Sequence, residues 1–262
     1  MLDKDLTELK KWFADYVAGF YSNDPICNFS FDLKEKHTKR VCINIIKICR
    51  ELNLDKPDTL IAEAIALLHD IGRFKQFAVY KTFKDMASEN HARLGIREIA
   101  NARILKGFTK KEKKYIIKGV AFHNAAKIPA DKDNKSVLFM RLIRDADKLD
   151  IWKVVTEYYH QKDKHPNPVL ENNLPDDPVC SKKVIESLNS NEIVQIKEIK
   201  TLSDLKLLQI SWVFDLNFLP AFKETRKHRF IDKIEKTLPK TPQITDAIQN
   251  ARNYVIKKIA TA

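Results

Sequence analysis

The stretch DTLIAEAIALLHDIG, residues 58–72, decides the fold class. Leu60, Ala64, Leu67 and Ile71 recur at helical spacing and mark a buried stripe. Asp58 or Thr59 stands where an N-cap is expected, Glu63 falls in the early turns, and Gly72 reads as the terminator. At the carboxyl end of this apolar helix stand His69 and Asp70. A buried histidine beside a buried aspartate is costly unless both are paired or bind a cation. Alone, the dipeptide is equally well explained by a packed histidine and a capping aspartate.

Working outward, the period stays helical. In KEKHTKRVCINIIKICREL, residues 34–52, Val41, Ile45, Ile48 and Leu52 share a face, with His37 one turn before Val41. After the central helix, RFKQFAVYKTFKDMASEN reads as a polar loop, and HARLGIREIANARIL resumes the helical period. Thr109 is placed to cap KKEKKYIIKGVAFHN, in which Ile116, Val120 and His123 fall together. SVLFMRLIRDADKLDIWKVVTEYY reads as a long helix, apolar on two sides and so deeply buried. The four prolines between His165 and Pro178 mark a loop or cap element. Beyond it, SDLKLLQISWVFDLNFLPAF and PQITDAIQNARNYVIKKI read as further helices. The expected class is all-α. One domain over residues 1–262 is expected, because no flexible Gly/Ser linker interrupts the chain.

Composition narrows the function. The chain has 262 residues, 44% of them hydrophobic and 31% charged, which suits a folded globular protein. Only 5 glycines occur, with no GxGxxG or GxxxxGK[ST], so phosphate is not handled by a glycine-rich loop. The amino terminus resembles no secretory signal, and no run of about 18 apolar residues is present to cross a bilayer. The four cysteines (Cys27, Cys42, Cys49 and Cys180) form no CxxC pair. Cys42 and Cys49 read as small core residues, and a reducing, cytoplasmic setting is expected. The formal net charge of +12 points to anionic partners such as nucleotides or phosphorylated metabolites. The densest basic cluster, Lys110 to Lys114, lacks the interleaved aromatics of a single-strand platform, so nucleic acid is not the expected partner. No membrane association is expected, and the sequence does not set the oligomeric state.

The remaining candidates are ligand-type residues. His37, His91 and His123 are each expected to begin or end a helical segment, on its apolar side. Asp147 lies on the stripe Met140, Ile143, Asp147, Ile151, Val154, while Asp145 shares an equally apolar stripe with Leu138, Leu142, Leu149 and Trp152. Helical spacing does not distinguish the two.

The series His37, His69-Asp70, His91, His123 and the aspartate of AlaAspLys at 146–148 resembles the H…HD…H…H…D pattern of the HD-domain superfamily of metal-dependent phosphohydrolases. HDIGRFKQF, TFKD and SENHARLG look like an HDIG-type bacterial branch of it. The resemblance covers residues 30 to 160 well and LKLLQISWVFDLNF more loosely. It implies a helical bundle with a catalytic core over about 30–160 and additional carboxyl-terminal helices over about 179–262. It also implies a first metal on His37, His69, Asp70 and Asp147. In dinuclear members a second metal is held by the counterparts of His91 and His123, with Asp70 bridging. Asp147 thereby takes the ligand role and Asp145 that of orienting a histidine, a role open to Asp150 as well.

Mixed imidazole and carboxylate donors suit Mn, Fe, Co or Zn better than Mg. Such ions acidify water and neutralise charge on a phosphoryl group, so no serine or cysteine nucleophile is needed. The implied activity is hydrolysis of a nucleotide or other small phosphate ester, with Asp70, Arg73 and Lys148 as catalytic residues, the two cations on the phosphate. Lys75, Lys81 and Arg144 are weaker choices. The segment from Phe74 to Asn90 should border the cleft, where Phe77, Tyr80 and Phe83 could stack on a base or simply pack. The Glu-Asp pair of the guanosine tetraphosphate hydrolases and the GYP element of the cyclic-di-GMP hydrolases are missing, which steers away from those substrates. Two alternatives remain: a di-iron oxygenase on the same ligands, and a non-catalytic nucleotide- or nucleic-acid-binding module.

Overall fold

The computed structural model describes residues 1–164 and 166–261; His165, the start of the proline-rich segment, lies outside them. The fold is all-α, and the described residues contain no strand. In chain order the helices are α1 (Asp3–Ala18), α2 (Pro25–Glu51), α3 (Lys56–Leu68), α4 (Ile71–Tyr80), α5 (His91–Ala102), α6 (Lys110–Phe122) and α7 (Asn134–Tyr159). They continue as α8 (Lys182–Asn189), α9 (Leu202–Ser211), α10 (Leu219–Lys227), α11 (Phe230–Glu235) and α12 (Pro242–Ala260). From residue 166 to 178 the chain forms turns and irregular structure. No helix among the described residues is long and apolar enough to cross a membrane. The chain divides into two compact units, Met1–Asp150 and Ile151–Ala262.

In the first unit α3 is the centre, packed by α1, α2 and α6. Every residue from Leu60 to Leu68 is buried, so the apolar stripe expected from spacing widens to a helix covered on all sides, Glu63 included, which pairs with Lys10 at 2.5 Å. Its cap also differs from expectation. Asp55 is the N-cap, accepting from Asp58 N at 2.8 Å, with Pro57 in the first turn, where the missing N–H costs nothing. Asp58 instead pairs with Lys135 at 2.8 Å.

Gly72 does not terminate the helix. α3 ends at Leu68, the chain turns at His69 and Asp70, and Gly72 lies in the first turn of α4. A Cβ on Gly72 would stand 2.1 Å from the His91 carbonyl oxygen and 2.5 Å from Gly95 N. Its backbone is not left-handed; the glycine permits α4 and α5 to touch. The polar segment expected after it is likewise helical as far as Tyr80. Phe74 and Phe77, one turn apart, are buried against Phe31, and that apolar face outweighs the intervening charges. Thr109 caps α6 as expected, in a capping box with Glu112. Cys42 and Cys49 are buried, free thiols.

In the second unit α9 is buried along its whole length. Its polar groups are satisfied: Asp204 accepts from Ser181 N at 2.7 Å and Lys200 N at 3.0 Å, and Ser203 donates to the Asp177 carbonyl. Trp152 and Tyr159 on α7 both bond Gln209, at 2.8 and 2.9 Å.

Candidate metal centre

The break between α3 and α4 sets the position of two candidates. His69 is the C-cap of α3, and its Nδ1 donates to the Ala66 carbonyl at 2.7 Å. Asp70 is the N-cap of α4, yet its side chain makes no capping bond. An aspartate there ordinarily accepts from the first-turn N–H groups; this one points at histidines instead. His123 is the C-cap of α6, with Nδ1 donating to the Val120 carbonyl at 2.8 Å. His91 opens α5 behind the N-cap Asn90. His37 does not begin a segment, as expected from sequence, but lies inside α2, which extends back to Pro25 because Asp24 caps it.

All six residues named as ligands come together. Asp70 Oδ2 is 3.6 Å from His37 Nε2 and 3.8 Å from His69 Nε2, while Oδ1 is 3.4 Å from His91 Nε2 and 3.6 Å from His123 Nε2. Its two oxygens thus face two histidine pairs, giving two clusters that share one carboxylate. Asp147 Oδ1 joins the first, 3.1 Å from His37 Nε2 and 3.8 Å from His69 Nε2. Asp147 is 18% exposed against 6% or less for the other five side chains, so solvent reaches the group on its side.

The donor chemistry fits divalent cations. Each ring offers Nδ1 to an oxygen that can only accept: the Ala66 and Val120 carbonyls, Asp150 for His37 at 2.7 Å, and Asp85 for His91 at 2.8 Å. In the neutral rings this fixes the proton on Nδ1 and leaves an Nε2 lone pair facing the cluster. Those lone pairs approach to 3.3 Å between His69 and His37 and to 3.0 Å between His91 and His123. Two imidazole nitrogens bound ~2.1 Å from one ion stand about 3.0 Å apart at a right angle and about 3.4 Å apart at the tetrahedral angle. A proton could also relieve such a contact. However, burial, then Arg73, pushes His91 down to about 3, and burial pushes His69 down to about 4. His37 differs: burial alone would lower it, but Asp147 and Asp150 raise it overall. Burial alone would raise Asp70, yet Lys34, His69, His123 and Arg73 hold it well below the usual carboxylate range. His69 and His91 are thus set as lone-pair donors and Asp70 as an anion, the forms that bind metal, while His37 would release its proton on binding an ion.

The surrounding shell was only partly anticipated. Asp150 orients His37 and is held by Arg40 at 2.5 Å. Asp145 is fully buried on the same helix. Asp85 was not foreseen. Burial would raise it, but His91 and Arg73 bring it down to about 2. Gln76, also buried, donates to Asp85, Ser88 and the Glu89 carbonyl, and so pins residues 81–90 beside the cluster. Lys34, 2.8 Å from Asp70 Oδ2, was missed as well; its signal was the three-residue spacing to His37.

Among the named cations, Arg73 Nε lies 3.5 Å from Asp70 Oδ1, and Nη1 is shared by Gln76, Asp85 and the Phe83 carbonyl. Lys148 is buried, with Nζ 3.4 Å from the Arg144 carbonyl. Arg144 donates to the carbonyls of His123 and Ala125 and so secures the end of α6. Lys75 is exposed, and Lys81 Nζ is 3.1 Å from Cys27 Sγ. Of the aromatics, Phe77 is core, Tyr80 is exposed, and Phe83 is flanked by Lys34 and Arg73 at 5.3 and 5.9 Å.

A search of curated proteins and a search of solved structures found no significant match. The sequence does match one family, the HD domain, over residues 35–152, a span that contains all six clustered residues. Together with the all-α fold and the shared-carboxylate clusters, this match identifies residues 35–152 as an HD domain.

Proposed function

We propose that the protein is a metal-dependent phosphohydrolase acting on a nucleotide or another small phosphate ester. The observation that carries this reading is Asp70, whose two carboxylate oxygens each face a separate histidine pair. His37, His69, Asp70 and Asp147 would hold one divalent ion, and His91, His123 and Asp70 a second. Ions so held would supply Lewis acidity toward a phosphoryl group and a lowered pKa for water.

The chain's own groups do the rest. Asp150 and Asp85 keep the rings of His37 and His91 in the tautomer that presents Nε2. Arg73 places positive charge beside Asp70, and Lys148, next to Asp147 in the chain, would add to it where a phosphate's oxygens gather charge. Residues 81–90 and Asp147 border the side that solvent reaches.

The test uses protein reconstituted with Mn²⁺, Fe²⁺ or Co²⁺ against nucleoside mono-, di- and triphosphates, dinucleotides and sugar phosphates. Release of phosphate or pyrophosphate is expected, lost in His69→Ala and Asp70→Ala together with bound metal. Unchanged metal content in both variants would remove the basis of the reading. Silence on every ester, with oxygen uptake on a polyol or phosphonate, would replace it by an oxygenase.

A further inference from the structure

Lys34 precedes His37 by one turn of α2, so the two side chains lie on one face. Its ammonium donates to Asp70 Oδ2, the oxygen that faces His37 and His69. Among the described residues Asp70 is its hydrogen-bond partner, and the ammonium otherwise touches the face of Phe83 at 5.3 Å. Arg73, the other cation beside Asp70, is held at the same time by Gln76, Asp85 and the Phe83 carbonyl. Lys34 is placed by the charge on Asp70, and its side chain keeps 19% exposure.

That placement conflicts with a loaded cluster. A divalent ion on Oδ2 and an ammonium 2.8 Å from the same oxygen repel each other, and burial weakens the screening between them. Asp70 and Asp147 carry two negative charges between them, fewer than two divalent ions bring, so no carboxylate charge is left for the ammonium. The ammonium then needs another anion, and its partly exposed side chain can meet one that enters from solvent.

We propose that Lys34 is a phosphate-binding residue: with divalent ions held by Asp70, its ammonium turns to the substrate's phosphoryl oxygens. This rests on the phosphohydrolase reading. A merely structural ion pair would act alike with and without metal; an exchanged one would not.

The experiment compares wild type, Lys34→Ala and Lys34→Arg by Mn²⁺ titration calorimetry, by melting temperature with and without Mn²⁺, and by inorganic phosphate binding to the Mn²⁺-loaded protein. Lys34→Ala should keep the Mn²⁺ stoichiometry and gain more in melting temperature on Mn²⁺ addition than wild type, because its cation-free form leaves Asp70 without its partner. Its phosphate affinity should fall at least ~10-fold, as for loss of a charge-assisted hydrogen bond, and Lys34→Arg should recover most of it. Full Mn²⁺ binding with unchanged phosphate affinity overturns the role of Lys34 and leaves the phosphohydrolase reading standing. Lost Mn²⁺ stoichiometry also overturns it, making Lys34 a structural support of Asp70. A wild type that binds neither Mn²⁺ nor phosphate overturns both. Should Lys34→Ala not fold, Lys34→Met keeps the stem and carries the same comparison.

Discussion

His37 and His91 reach the cluster from different helices, but each is held by a carboxylate on Nδ1, whereas His69 and His123 are held by carbonyls of their own helices. The carbonyl-held pair cannot be loosened by a side-chain change; the carboxylate-held pair can. Asp150→Asn should weaken the ion bound with His37, and Asp85→Asn the ion bound with His91, each by ~10–100-fold in affinity with stoichiometry retained at saturating metal. Calorimetric Mn²⁺ titrations that show both variants equal to wild type would reduce these contacts to packing. At this scale the clustered residues were legible because ligand-type side chains recur in a fixed order on apolar faces. Their supports were not, because Asp85 sits in a polar segment and Lys34 among other lysines, where side-chain type alone looks like solvated surface. Spacing alone did not separate Asp145 from Asp147, because both lie on apolar stripes of α7, and of the two residues open to the orienting role Asp150 is the one seen on His37 Nδ1.

Between helices, the contact that matters is the one glycine allows. Gly72 and Gly95 let α4 and α5 approach so closely that a methyl on Gly72 would collide with the backbone of His91 and Gly95. Backbone cannot rotate away as a side-chain tip can, so Gly72→Ala must displace α5 and His91 with it. We expect a stability loss of about 1–3 kcal/mol, as for overpacking in a tight core, and a loss of metal confined to the His91–His123 side. Gly107→Ala, which meets nothing within 4 Å, is the control and should match wild type in denaturant midpoint and metal content. Equal behaviour of the two variants would mean that the crossing can relax. Helix identity was legible wherever apolar residues recurred, as in α3 and α6. The reading of Gly72 as a terminator went astray because glycine serves two purposes, left-handed backbone and close approach, and a sequence does not say which. The same uncertainty hid α4, since a helix start directly after a terminator was not expected.

At the scale of the whole molecule, the first unit concentrates buried charge on one cluster. His37, His69, Asp70, His91 and His123 are buried there, and a buried charge or unshared lone pair weakens a fold that offers it no partner. In the second unit the buried Asp204 accepts from Ser181 N and Lys200 N and Gln209 accepts from Tyr159, and among the described residues no ligand-type cluster forms there. Its helices were legible from apolar periodicity. Ions that bind only the folded chain therefore stabilise it by mass action, about 2.7 kcal/mol at a hundredfold excess over the dissociation constant. The donor set decides which ions do so. Imidazole nitrogens suit Mn²⁺, Co²⁺ and Zn²⁺, while Mg²⁺ keeps to oxygen and gives up its water reluctantly. Metal-stripped protein should gain several degrees in melting temperature with Mn²⁺ and little with Mg²⁺ at the same concentration. His69→Ala should lose most of the Mn²⁺ gain, because that ring faces His37, Asp70 and Asp147 at once. Equal gains from Mn²⁺ and Mg²⁺, or a full gain in His69→Ala, would place the stabilising ion on surface carboxylates and away from the buried cluster.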